Sequence, residues 1–303
     1  MTRQHIGIIG AGLMGHGIAQ AFAVAGHQVD IQEPDPGRRA GILDQVRRNL
    51  RELGKDAAAA DRIHPRATLA ETVGQADIVI EAVPEDLELK QRIFLAAEAA
   101  APPHALLASN TSVIPIGRIM APLRDKARAL GTHWWNPPHL VPLVEVIQAP
   151  DTGAAAIAAM IDLLASIGKM PVHVRKDVPG FIGNRLQHAL WREAIALVQN
   201  GVCDARTVDT VVKAGFGRRL AVLGPLENAD LVGTDLTLAV HEQLLPDLDR
   251  TPGPLPLLRA LVASGRLGMK AGGGFRDWTA EQRTELHARL AAHLQGLEPG
   301  ERG

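Results

Sequence analysis

A short apolar run, HIGIIG, passes straight into GAGLMGHGIAQAFAVAG, and that junction restricts the chain to few folds. Gly10, Gly12 and Gly15 stand in the spacing G-x-G-x-x-G, after a stretch of strand character and at the start of a stretch of helical character. In a strand–turn–helix unit the first glycine permits the tight turn and the second lets backbone approach a pyrophosphate. The third lets helix and strand pack closely. The helix amino terminus then offers free N–H groups to the phosphates. Leu13 and Met14 fill the two variable positions and count with the motif. Glu33 closes the next β-like run, HQVDIQE, about twenty residues on, where a carboxylate hydrogen-bonds a ribose 2′-hydroxyl and repels a 2′-phosphate. The expectation is a dinucleotide site that takes NAD rather than NADP. Arg38 and Arg39, beyond two prolines, either temper that preference or decorate a helix start. Taken alone, a glycine triplet also makes a plain turn, with Glu33 a solvated acid.

Strand and helix signals keep alternating. After a long polar helix come ADIVIEAV, ALLASN, ARALGTHWW and LVPLVEVI, each a short apolar run closed by turn or polar residues. From Thr152 the pattern changes: TGAAAIAAMIDLLASIG reads as a helix and KMPVHVRKD as a final strand. Beyond PGFIGNRLQHALWREAIALVQNG the periodicity is helical almost to the end, broken by GFGRRLAVLGP, RTPGPLP and MKAGGGF. The expected architecture is an α/β Rossmann-type amino-terminal domain with a mostly parallel sheet, followed by an all-helical domain. We place the first, for NAD, at residues 1–178 and the second, for substrate and dimerisation, at 179–303. A chain of 303 residues suits two domains.

Bulk charge asks for no polyanionic partner: 32 Lys and Arg face 33 Asp and Glu, so neither nucleic acid nor a membrane surface is expected. Cys203 is the only cysteine, which excludes an intrachain disulfide and a thiolate zinc site and fits a reducing cytoplasm. No apolar run approaches the roughly 20 residues that span a bilayer, and MTRQHIGIIGAG lacks the features of a secretion signal. No ligand cluster for a metal can be found, and His139 is taken as a turn histidine.

The stretch THWWNPPHLVPLVEV sets His133 and Glu145 twelve residues apart, on two apolar runs joined by a proline-rich turn. Such a pair can be a satisfied core hydrogen bond, half a metal site, or a general base with its orienting partner.

With these motifs in order, the chain resembles the 3-hydroxyacyl-CoA dehydrogenase superfamily over nearly its whole length. GAGLMGHGIA, SNTS at Ser109 to Ser112, HWWNP followed by LVEVI, PGFIGNR and LGMKAGGGF match its motifs in order and spacing, with Trp134 and Trp135 where acyl-CoA enzymes carry Phe-Phe. The resemblance implies a homodimeric, NAD-dependent enzyme that oxidises a 3-hydroxyl group. His133 would be the base and Glu145 the carboxylate that fixes its tautomer, with the strands of the two folded side by side. Ser112 and Asn184 would hydrogen-bond the substrate oxygen and support the histidine; a helix cap and a helix-interior contact are their plainer alternatives. Asn136 ranks lower as a substrate contact, since it can simply shape the turn. Asn110 counts with the cofactor residues. Glu85 and Lys90 match positions near the nicotinamide ribose, although an exposed acid and base at a helix start would read the same way. An acyl-CoA substrate, with a place in fatty acid metabolism, is weighed ahead of a free hydroxy acid. The family also holds dehydrogenases of gulonate and of a pyridine carboxylate, and VPEDLELK, HWWNPPHLVPLVEV and GFGRRLAVLGPLE lean that way. In that branch Arg218 and Arg219 would bind a carboxylate; solvent-facing residues before a helix would read the same way. The basic segment that meets CoA phosphates is thin, reduced to RELGK at Arg51 to Lys55. A protein that keeps the fold without catalysis, as a structural or dinucleotide-sensing module, should have lost His133, Glu145 or Asn184, and all three are present.

Overall fold

The computed structural model describes residues 3–296. Its strands are β1 (His5–Ile9), β2 (Gln28–Gln32), β3 (Ile63–Arg66), β4 (Ile78–Glu81), β5 (Leu106–Ser109), β6 (Ala129–Trp134), β7 (Leu143–Ile147) and β8 (Met170–Val174). They form one eight-stranded sheet in the order β3-β2-β1-β4-β5-β6-β7-β8. Every neighbouring pair is parallel except β6 and β7. Strands such as Ile-Val-Ile in β4 are buried on both faces, as helices covering a parallel sheet require. This is the expected Rossmann-type sheet.

Helices of the first half are α1 (Leu13–Val24), α2 (Pro36–Glu52), α3 (Leu69–Val73), α4 (Leu87–Ala100), α5 (Ile116–Ile119) and α6 (Ala154–Ser166). Their starts are written locally. Asp35 caps α2 by accepting from the Arg38 N–H ahead of Pro36, and Thr68 with Glu71 makes a reciprocal capping box on α3. Ile42, Val46 and Leu50 give α2 its single buried stripe. Two buried clusters result, one built on Ile6, Ile18, Phe22 and Val29 and the other on Ile9, Phe94, Ile116 and Ile147.

The edge strand β3 does not appear in the sequence reading. Pro65 in IHPR argues against a strand, yet at a sheet edge a missing N–H is tolerated, and Ile63–Arg66 pairs along β2. The strand order reverses between β1 and β4, and in open α/β sheets ligands bind there, outside the carboxyl ends of the strands.

The second half is helical: α7 (Gly183–Gln199), α8 (Ala205–Ala214), α9 (Pro225–Val232), α10 (Thr234–Leu244), α11 (Pro256–Ala263) and α12 (Ala280–Gly296). Two compact units divide the chain. One runs to Arg185 and takes the end of α12 from Ala292; the other is Leu186–Ala291.

Candidate active site

Antiparallel register puts His133 on β6 directly opposite Glu145 on β7, so both side chains leave the sheet on the same face. Nδ1 of His133 lies 2.7 Å from Oε2 of Glu145, and the residues are 4% and 1% exposed. The other carboxylate oxygen, Oε1, accepts the N–H groups of Ile182 and Gly183 at 2.9 and 3.0 Å. Burial raises the pKa of Glu145, but the bonds from His133, Gly183 and Ile182 outweigh it, and the carboxyl lies below its ordinary range. A carboxylate held in this way assigns the Nδ1 proton and leaves Nε2 as the acceptor. Trp135 and Phe181 flank the imidazole, with ring centroids 5.3 and 5.7 Å away.

A second network starts where β4 and β5 end. Lys90 is fully buried, and its ammonium donates to Glu81 Oε1 at 2.8 Å and to the Val83 carbonyl at 3.3 Å, with Glu85 Oε2 also at 3.3 Å. Glu81 also accepts from the Ser109 hydroxyl at 2.6 Å. Glu85 Oε1 accepts from the Thr111 hydroxyl and from the N–H groups of Ser112 and Val113. Burial pushes Glu85 up, while the Thr111 hydroxyl, Lys90 and the Val113 N–H pull it below the usual carboxylate range. Asn110 accepts the Trp134 N–H at 3.0 Å, and Asn184 donates to the Ser112 carbonyl at 2.9 Å. An ion pair and hydrogen bonds therefore run from Lys90 through Glu85 and Ser112 to Asn184, beside the residues bound to Glu145.

His133, Glu145, Ser112, Asn184, Glu85, Lys90 and Asn110, all picked from sequence, thus take part in these networks. Lys90 corrects one alternative: it is not an exposed helix-start base, and its three donors already face protein oxygens. Its stem lies along the buried face of α4, which keeps the ammonium from water. Ser112 is not a helix cap, since the N-cap of α5 is Pro115, without a side-chain hydrogen bond. Asn136 is exposed in the turn. Arg218 and Arg219 belong to the helical unit, both exposed and with no side-chain partner among the described residues. Four residues of this neighbourhood escaped the sequence reading. Glu81 and Thr111 carry the network around Glu85, Phe181 lies on the imidazole, and Lys169 donates to the carbonyls of Pro138 and Val141. Only Glu81 left a signal, as an acid ending an apolar strand at the sheet's ligand-binding edge.

At the glycine motif Gly10 has φ +99°, and a Cβ on Gly15 would lie 1.8 Å from the Gly10 carbonyl oxygen. Beside Gly12 the space is open, with nothing within 4 Å of a Cβ built there. Leu13 is exposed and Met14 half-buried. Glu33 directly follows β2, and its Oε1 accepts the Asp35 N–H at 3.1 Å. Arg39 is tied back to the carbonyls of Glu33 and Pro34 at 2.7 and 3.1 Å, whereas the Arg38 guanidinium has no partner among the described residues. An open backbone cradle next to a strand-end carboxylate fits NAD.

The family model for the 3-hydroxyacyl-CoA dehydrogenase NAD-binding domain matches residues 5–178, and that for the carboxy-terminal domain of the same family matches 180–278. The chain belongs to this family. It is an NAD-dependent dehydrogenase acting on hydroxyl groups. It is 36% identical to the 5-formyl-3-hydroxy-2-methylpyridine 4-carboxylate 5-dehydrogenase of Mesorhizobium japonicum, over 96% of each chain. A crystal structure of a dehydrogenase of that kind, an NAD+-dependent dismutase, superposes with a TM-score of 0.90 at 34% identity, covering 98% of this chain and 97% of the other. The (S)-3-hydroxybutyryl-CoA dehydrogenase of Ralstonia eutropha superposes at 0.77 and 33% identity, over 92% of this chain and 100% of its own.

Proposed function

We propose that this dehydrogenase oxidises the hydroxyl carbon of a free, carboxylate-bearing hydroxy acid. The observation that supports a free, carboxylate-bearing substrate over a thioester is the whole-chain similarity to the pyridine-carboxylate enzyme, at a TM-score of 0.90 against 0.77 for the CoA enzyme. This reverses the weighting from sequence, in which the thioester stood ahead.

His133 takes the hydroxyl proton on Nε2, and Glu145, charged and immobile, stabilises the imidazolium that forms. NAD, when bound, accepts the hydride from the same carbon. The free N–H of the Asn184 amide and the Ser112 hydroxyl donate to the substrate oxygen as its charge changes. Gly10, Gly12 and Gly15 with Leu13 and Met14 hold the dinucleotide. Glu33 takes its ribose, and Glu85, steadied by Lys90, and Asn110 border the nicotinamide side. Arg218 and Arg219 read the substrate carboxylate, and two chains associate through their helical units, whose apolar residues are largely exposed.

One observation favours the thioester instead: Arg51 and Lys55 are exposed and carry no ion pair among the described residues, as a phosphate-binding edge would. The deciding experiment is an NADH-formation screen with free hydroxy acids and short 3-hydroxyacyl-CoAs, repeated on Arg218→Ala and Arg219→Ala. A free-acid enzyme loses more than about tenfold in KM when its carboxylate partner is removed. Turnover of a CoA ester, none of any free acid, and unchanged KM in both variants would give the function to the thioester.

A further inference from the structure

We propose that Phe181 is a positioning residue for the His133–Glu145 pair, acting through both its backbone and its ring. The inference rests on the assignment of His133 as the base. Phe181 is the one non-glycine among the described residues with positive φ, at +52°, and it follows Gly180 at +75°. The left-handed region crowds an L side chain and is kept only where the surroundings enforce it. Here they do. The Phe181 N–H closes a turn onto the Val178 carbonyl at 3.1 Å, and the ring is buried in the cluster that holds Ile116, Ile147 and Val174.

The two left-handed residues reverse the chain just before α7, and the next two N–H groups, of Ile182 and Gly183, both meet Glu145 Oε1. That grip stops the carboxylate rotating and leaves Oε2 alone for His133. The ring then lies 5.7 Å from the imidazole, at 52° to it. Glycine would make the same turn without steric cost. It would leave the imidazole uncovered on the side that Trp135 does not flank. The strained backbone is therefore tied to a bulky apolar ring at this point.

Two substitutions separate the halves. Phe181→Ala loses the ring and keeps a Cβ in the disfavoured region, so the turn relaxes and both N–H bonds loosen. Phe181→Gly loses only the ring. The expected order of kcat is wild type, then glycine, then alanine. The alanine variant falls by about 10- to 100-fold, the scale for sub-ångström to ångström misplacement of catalytic groups. With Glu145 loosened the imidazolium is less stabilised, so the acid limb of the kcat–pH profile moves to lower pH by about half a unit or more in the alanine variant. NADH affinity, measured by fluorescence, stays within about twofold of wild type in each variant, which also reports that it is folded. Were alanine to fail to fold, the glycine variant alone must show a lower kcat at unchanged NADH affinity. Wild-type kcat and acid limb in the folded variants overturn the proposal, and alanine at or above glycine removes its backbone half. If His133→Gln keeps near-normal turnover, the base assignment fails instead, whatever Phe181 does.

Discussion

Ile6, Ile8, Ile18, Phe22, Val29 and Ile31 are all buried where the sheet meets α1, whereas from α8 to α12 no helix has a buried residue, and Val222 and Leu226 stand 82% and 79% exposed. The first unit thus collects the favourable transfer of its apolar surface by itself, at about 25 cal/mol per Å². The second leaves much of that term unrealised, which is the ground for the association proposed through it. Chemistry follows the same division. The pair at His133 and the network at Glu81, Lys90 and Glu85 lie in the packed unit, where partners on every side fix them. The arginines assigned to the substrate lie in the exposed one.

The largest effect that would break this division is catalytic. His133→Gln should lower kcat by roughly 10² to 10⁴, the range for general acid–base catalysis, with NADH affinity near wild type. Near-normal turnover by the folded variant removes the chemistry from the packed unit. Next comes assembly. Val222→Glu together with Leu226→Glu should turn a dimer into a monomer by light scattering while the sheet unit still binds NADH. A wild-type protein that is already monomeric sinks the account of the exposed faces. A smaller effect concerns the cofactor. Glu33→Ser should lower the NAD-over-NADP preference, because it deletes the charge that repels a 2′-phosphate. A wild type that prefers NADP would mean that Arg38 reads that phosphate, since Arg39 is tied to the backbone.

What sequence could reveal divides along the same line. The places of Gly10, Gly12, Gly15, His133 and Glu145 were legible because a tight strand–turn–helix and a cross-strand pair need residue types at a fixed spacing on regular elements. The opposition of His133 and Glu145 follows from the register of one antiparallel pair. β3 was missed because a parallel edge strand is made by its neighbour rather than by local propensity. The burial of Lys90 was missed because its partners, Glu81 and Glu85, come from a strand end and a loop, and pairing of that kind leaves no periodic trace. Phe181 was invisible for a further reason: its significance lies in a dihedral angle, and the letter F in PGFIGNR carries none.

The smallest effect tests the packed unit through its acid response. His139 titrates at about 4, against 6.5 for an ordinary imidazole; burial is the main cause, with His16, Lys169 and Lys55 adding repulsion. A Cβ on Gly17 of α1 would lie 3.3 Å from its Nδ1, so the ring sits against the cofactor helix. As pH falls through 6.5 the unfolded chain takes up a proton that the folded chain refuses until about 4. The unfolded state binds more protons in that window, so stability must fall as pH drops across it and level off below. Glu145 extends the loss to lower pH: its folded pKa is depressed below 4.5, so its contribution is present above that value and lost as the carboxylate protonates. His139→Gln keeps a polar side chain of similar reach and cannot titrate. In urea melts between pH 7 and pH 4 it should show a shallower fall in stability than wild type, with a residual slope from His27, which burial also depresses. An unchanged slope would mean that the turn opens in acid and lets water reach His139, and the packed unit would then be looser around the turn between β6 and β7 than its burial implies.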